Sequence, residues 1–146
     1  MPFHAGPFLK IPLSYCLSLG SLMMVLLLSS GPAYAEWVSI DANNQSGRTV
    51  YADPDTIRSK GDVVKMWTLN DFKTIQTQLS AAYLSYTVQS EYDCAEERIR
   101  NLAATFFSGN MGSGDAVYVN PDEGKWLPVQ PGSLGQRAWK LACNKQ

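Results

Sequence analysis

Histidine is nearly absent from this 146-residue chain: the only one is His4. Without an imidazole further along, Ser–His–Asp and Cys–His catalysis are excluded for the rest of the sequence. Haem ligation of the usual kind is unsupported for the same reason. Cysteine is scarce, with Cys16, Cys94 and Cys143 alone. There is no basic stripe, because 12 Lys and Arg are interspersed with 13 Asp and Glu. That balance does not suit nucleic acid. After residue 29 no apolar run is long enough to span a membrane.

The first 35 residues lack charge as well: Lys10 is their one basic residue and they hold no acid. Leu17 to Leu28 is almost all apolar or small, and "SGPAYA" follows with Ala33 and Ala35. This is the pattern of a secretory signal peptide cut between Ala35 and Glu36. The rival is a membrane anchor, since Ile11 to Ser29 is almost long enough to span. Gly31-Pro32 and the small-x-small ending favour cleavage. Cys16 follows Tyr15, with little apolar sequence upstream, so it is not a lipid-attachment site. Residues 1–35 are therefore expected to be a leader and residues 36–146 one domain. The mature part carries two more acidic than basic side chains.

Cys94 and Cys143 remain after cleavage. In an oxidising compartment such an even pair reads as a disulfide. The competing readings are a reactive thiol pair, which lacks a nearby base, and a metal site, for which two cysteines are half a ligand set. Glu91, Asp93, Glu96 and Glu97 surround Cys94 and would repel a thiolate, which suits a cysteine that stays bonded.

The domain reads as short strands. "WVSI" (Trp37–Ile40) and "TVYA" (Thr49–Ala52) flank the polar turn "NNQSG". "GDVVKMWTL" (Gly61–Leu69) is a third strand. "AAYLSYTVQSEY" (Ala81–Tyr92) alternates, with Leu84, Tyr86, Val88 and Tyr92 on an inward face that continues to Cys94. "AVYVN" (Ala116–Asn120) follows the flexible-looking "SGNMGSG", and Pro128 confines "KWLPV" to an edge. In "AEERIRNLAATFF" (Ala95–Phe107) Ile99, Leu102, Ala103 and Phe106 have helical spacing, so the local pattern predicts a helix. The tail "PGSLGQRAWKLAC" opens with a Ser133/Gln136 capping box. Its helix gathers Leu134, Ala138, Leu141 and Ala142 on one face, with Cys143 at the margin. An inward Cys94 and such a Cys143 are placed to tie the helix to the sheet.

Taken together, "YADPDTIRSKGDVVKMW" (Tyr51–Trp67), "YLSYTVQSEYDC" (Tyr83–Cys94), Arg98, Arg100, "WLPVQPGS" (Trp126–Ser133) and Cys143 resemble the surface-adhesin protein E family of bacterial exported proteins. The resemblance covers most of residues 36–146. It implies an α+β, mainly β fold: an antiparallel sheet of about six strands with a C-terminal helix held by a disulfide. It also implies that Ala95–Phe107 is largely strand, against the local pattern. For function it implies binding of extracellular-matrix or envelope proteins, in the periplasm, secreted or at the outer surface.

No residue is assigned to catalysis, a cofactor or a metal. Asp53 and Asp55 read as turn chemistry, and Glu91 with Asp93 as a solvated strand face, rather than as hydrolytic carboxylate pairs. "DANNQSG" lacks the closing glutamate of a calcium loop, and "SGNMGSGD" lacks the lysine of a phosphate loop. The aromatic residues are expected mostly in the core. Trp37, Tyr118 and Trp126, near strand ends, are candidates for one exposed binding surface. The expected activity is a non-catalytic binding module, monomer or weak homodimer; the alternative is a carrier of a small apolar ligand held between sheet and helix.

Overall fold

The computed structural model describes residues 36–41 and 47–144. The leader, its cut at Ala35, and most of the "DANNQSG" loop lie outside the described residues. The described strands are β1 (Val38–Ser39), β2 (Arg48–Lys60), β3 (Val63–Gln78), β4 (Ala81–Asp93), β5 (Arg98–Phe107), β6 (Ala116–Asn120) and β7 (Leu127–Pro128), followed by helix α1 (Leu134–Asn144). They form one antiparallel sheet in the order β1-β2-β3-β4-β5-β6, with β7 also pairing to β5. Pro128 pairs with Arg98 on this short edge piece, where its missing N–H does no harm.

Sequence chemistry explains the irregular strands. β2 bulges between Asp53 and Arg58, within the "DPDT" run. The Asp53 carboxylate accepts from the Asp55 N–H (3.1 Å), and Thr56 Oγ1 accepts from the Trp67 N–H (3.0 Å). Pro54 thus sits where no ladder donor is needed. Gly61, at φ +60°, and Asp62 turn the chain from β2 into β3.

Residues 98–107 are strand, so the helix expected from spacing alone does not form. The reason is a bulge: Ser90 pairs with Asn101 but Gln89 pairs with Ala103, which leaves Leu102 unmatched. The extra residue shifts the alternation. Ile99 and Phe106, seven apart, then share one face, which a regular strand forbids and a helix allows.

The core is small and largely aliphatic. Ala52, Val64, Met66 and Tyr92 pack beneath Ala138 and Ala142 of α1, bordered by Ile40, Ile57, Ile99, Trp139 and Leu141. Ser133 caps the helix by accepting from the Gln136 N–H (3.1 Å). The reciprocal bond falls one residue upstream of the expected position, from the Gly132 N–H to Gln136 Oε1 (3.0 Å). Three ties hold α1: the Cys94–Cys143 disulfide, the Trp139 indole N–H to the Asp93 carbonyl (2.9 Å), and Arg137 to Asp41 (3.2 Å). Of the described aromatic residues only Tyr92 is fully buried, so the expectation that they mostly fill the core is corrected. Small alanines on α1 let the helix approach the sheet closely over Tyr92 and Met66.

β4 is covered on both faces, not one. Opposite the helix, Ser85, Glu91 and Asp93 are also buried. The Ser108–Asp115 loop, expected to be flexible, is pinned over that second face. Ser85 Oγ donates to Gly109 O (2.6 Å) and accepts from the Gly112 N–H (2.9 Å), while Asp71 accepts from Met111 N–H (2.7 Å) and Asn110 Nδ2 (3.1 Å). Gly112, at φ +73°, would bring a Cβ to 3.4 Å from Leu69, so a side chain there is strained and crowded.

Candidate functional site

The helix covers only one end of its face of the sheet. Beyond its N-terminal end the same face carries five rings, one or two from each of β3, β4, β5 and β6. Phe72 and Tyr86 lie 6.0 Å apart, Tyr86 stacks on Phe106 at 4.9 Å, and Phe106 meets Tyr118 at 5.4 Å. Tyr83 closes the set edge-on, 4.9 Å from Phe106 and 5.8 Å from Phe72. All five are half-buried. Registry builds the row: Tyr86 pairs with Phe106 and Phe106 with Tyr118, and the Leu102 bulge turns Phe106 to this side. Cross-strand aromatic pairs of this kind hold one another in place.

The electrostatics of the floor are quiet. No charged residue occurs between Lys73 and Glu91. Burial raises the Tyr86 pKa above its usual 10.0, with the Arg48 guanidinium beside it acting the other way. The Arg48 Nε is itself buried without a hydrogen-bond partner. The phenol therefore stays a neutral hydrogen-bonding group at the edge of an apolar plate.

The three residues singled out by sequence are not brought together. Trp37 precedes β1 at one edge of the sheet, and Tyr118 lies in β6 at the other. Trp126 is on the opposite face, its ring 4.6 Å from the Arg100 guanidinium carbon and 5.2 Å from that of Arg98. Tyr118 alone belongs to the aromatic floor. Phe72 was the least visible member, although its parity with Val64, Met66 and Asn70 places it on the helix face.

Glu91 and Asp93 are buried and structural, so their reading as a solvated strand face is corrected, while Glu96 and Glu97 are exposed. Asp93 accepts from Arg98 (2.6 Å) and from the Ala95 and Glu96 N–H groups (3.2 and 2.9 Å), which shapes the β4–β5 turn. The Arg98 hydrogen bond, then the Glu96 N–H, holds the Asp93 pKa below 3.8. Glu91 accepts from Arg100 (2.7 Å), lies 3.6 Å from Lys65, and raises the Arg100 pKa. Asp53 holds the β2 bulge, as expected of turn chemistry. The space between α1 and the sheet is about 210 Å³; its lining is mainly apolar, with Val50, Val88, Ile99 and Leu134, and includes the polar Thr68, Asn70, Ser90 and Asn101. Small-molecule sites commonly start near about 300 Å³ and are mostly apolar.

The family model for surface-adhesin protein E matches residues 37–144. The chain belongs to the surface-adhesin protein E family. The structure of Haemophilus influenzae protein E superposes with a TM-score of 0.60 at 13% identity, covering 77% of this chain and 87% of that one. A second crystal form of that protein gives 0.55 at 14% identity, covering 76% and 98%. At such identity the likeness shows the fold: the sheet, the terminal helix and their arrangement. No curated protein matches the chain. Family and fold support an adhesin-like binding module, and no helix among the described residues is long and apolar enough to cross a membrane.

Proposed function

We propose that the protein is an exported, non-catalytic binding module of the bacterial cell envelope that takes an extracellular or envelope protein on the aromatic floor. The observation that carries this reading is the half-buried row Phe72–Tyr83–Tyr86–Phe106–Tyr118, which lies beyond α1. Aromatic side chains held rigid by their neighbours supply large contact area at little entropic cost, and such residues dominate protein interfaces. The family supports a protein ligand. The carboxylates supply no acid–base pair, since Glu91 and Asp93 are bound to arginines and Asp53 to its own turn. The space under the helix, at about 210 Å³, is small for a carried apolar molecule, which favours a protein ligand. Export by a leader cut after Ala35 is part of the same reading, and the amino terminus of the exported form should then be Glu36.

The test is capture of extracellular and envelope proteins on the immobilised exported chain, followed by affinity measurement for the captured protein. Tyr86→Ala and Phe106→Ala should each weaken that affinity at least tenfold, which is about 1.4 kcal/mol, with circular dichroism unchanged. Equal affinity for wild type and both variants would remove the floor from the function. An apolar small molecule extracted from the purified protein by solvent, and excluded by Val88→Phe, would instead favour the carrier.

A further inference from the structure

The face opposite the aromatic floor carries a second groove at the disulfide end, of about 570 Å³. Its floor is Val63, Lys65, Glu91 and Arg100; Arg58 to Lys60 of β2 form one wall, and Trp126 forms the other. Around it stand the cations Arg58, Lys60, Lys65, Arg98 and Arg100 against the carboxylates Glu91, Asp93 and Glu123. This excess of cations sits on a chain whose net charge is −1.

The carboxylates are already committed. Asp93 pairs with Arg98, Glu91 with Arg100 and Lys65, and Glu123 with Arg100. No ion pair reaches Arg58 or Lys60 among the described residues, and both side chains are exposed. Arg58 is nonetheless held in place. One of its terminal nitrogens donates to the Asp55 and Ile57 carbonyls (2.8 and 2.7 Å), so its remaining N–H groups are oriented and available. Asp62, Glu96 and Glu97 lie in turns at the same end but do not line the groove.

Trp126 is the other half of the site. Arg98 and Arg100 are alternate residues of one strand, so both reach the indole from the sheet side. They fix the ring by cation–π attraction, and the same tryptophan lines the groove. A fixed flat ring opposite the oriented Arg58 and the exposed Lys60 suits a sugar, which offers an apolar ring face for stacking and charged groups at its rim. An acidic peptide fits less well, because apart from Val63 and Trp126 the lining gives no apolar anchor pocket.

We propose that this groove binds an anionic polysaccharide, one sugar ring stacked on Trp126 and its carboxylate or sulfate on Arg58 and Lys60. The site is separate from the aromatic floor and does not depend on it.

The test is titration of the full exported chain at low ionic strength with four probes: trigalacturonate, sulfated maltotriose, neutral maltotriose and hexaglutamate. Either or both anionic sugars should bind, move the Trp126 indole resonance, and lose affinity as salt rises. Binding of one alone would identify the preferred anionic group. Arg58→Ala with Lys60→Ala should weaken binding at least tenfold with the melting temperature unchanged. Trp126→Phe should weaken it several-fold, whereas Phe106→Ala should leave it intact. Equal binding of neutral maltotriose, hexaglutamate binding as tight as the anionic sugars, or no binding of either anionic sugar at millimolar concentration would each overturn the proposal.

Discussion

The two ends of the sheet are built on opposite principles. At the end holding Cys94, residues 91–100 contribute Glu91, Asp93, Glu96, Glu97, Arg98 and Arg100, and helix, disulfide and ion pairs fasten everything down. At the other end, residues 74–90 hold no charge at all. That end presents rings on one face, a pinned loop on the other, and a protruding β3–β4 hairpin whose Ile75 and Leu79 are exposed. One end commits most of its charges to its own fold, leaving Arg58 and Lys60 over, and the other keeps apolar surface unspent. A binding module needs both: a scaffold that does not yield and a surface that has not been used up.

The largest expected effect comes from breaking the fastened end. The disulfide closes a loop of 49 residues, for which chain entropy gives about 4 kcal/mol, often less in practice. Replacing Cys94 and Cys143 by serine should lower the melting temperature by roughly 10 °C. Proteolysis should then begin after residue 130 and spare the β3–β4 hairpin, because a short helix is unstable when unfastened. Cleavage appearing first in the hairpin would mean that the two ends are coupled more tightly than their chemistry suggests.

Alkali should attack the same end. Burial pushes the Tyr92 phenol from 10.0 up to about 12, with Ser90 opposing weakly. A group whose pKa is raised on folding stabilises fully below pH 10.0 and loses that contribution as pH climbs towards about 12. In an ultraviolet titration Tyr86 and Tyr92 should lag behind the rest, and Tyr92→Phe should remove the latest part of that lag and the matching loss of stability. Acid gives a smaller, mirror-image effect. The Asp93 carboxyl titrates lower in the folded state, so its contribution is present above pH 3.8 and disappears as pH falls through the folded value. Asp93→Asn keeps an acceptor for the Ala95 and Glu96 N–H groups. It should flatten the acid limb of a melting-temperature curve while leaving the alkaline limb as it was.

The smallest effect sharpens the comparison from the open end. Leu79 and Ser80 turn the β3–β4 hairpin at φ +45° and +69°, values that suit Asn and Gly far better. Leu79→Asn with Ser80→Gly should stabilise the protein by up to about 1 kcal/mol, read in a denaturation curve. A loss of stability would mean that Leu79 packs in solution despite its exposure.

Much of the fastened end is legible in sequence because its signals are local. The capping box, the alanine face of α1 and the parity of Cys94 each lie within a few residues, and the protein E resemblance covers the same motifs. The open end is not local. Its floor takes one or two residues from each of four strands, so it emerges only once registry is known, and one bulge in β5 hides Phe106 behind a helical spacing. Trp126 was visible as an exposed aromatic, but its guanidinium bed comes from positions 26 and 28 residues earlier. Nor does the pattern of β4 reveal that its polar face is buried, since the covering loop and arginines come from elsewhere in the chain.

Leu102 has a consequence out of proportion to its size. It acts as a half-period phase shift in β5: upstream the odd positions look towards the helix, downstream the even ones do. Losing that one residue would let the ladder run regularly from the Asn101–Ser90 pair to the Ala103–Gln89 pair, and Ala104 and Phe106 would keep their face. Keeping Leu102 but ironing the bulge flat would instead turn Ala104 and Phe106 to the far side, where the charged groove lies, and cut the aromatic row in its middle although no ring had been changed. What the row needs is therefore a place in β5 where an odd residue is absorbed, more than a fixed strand length.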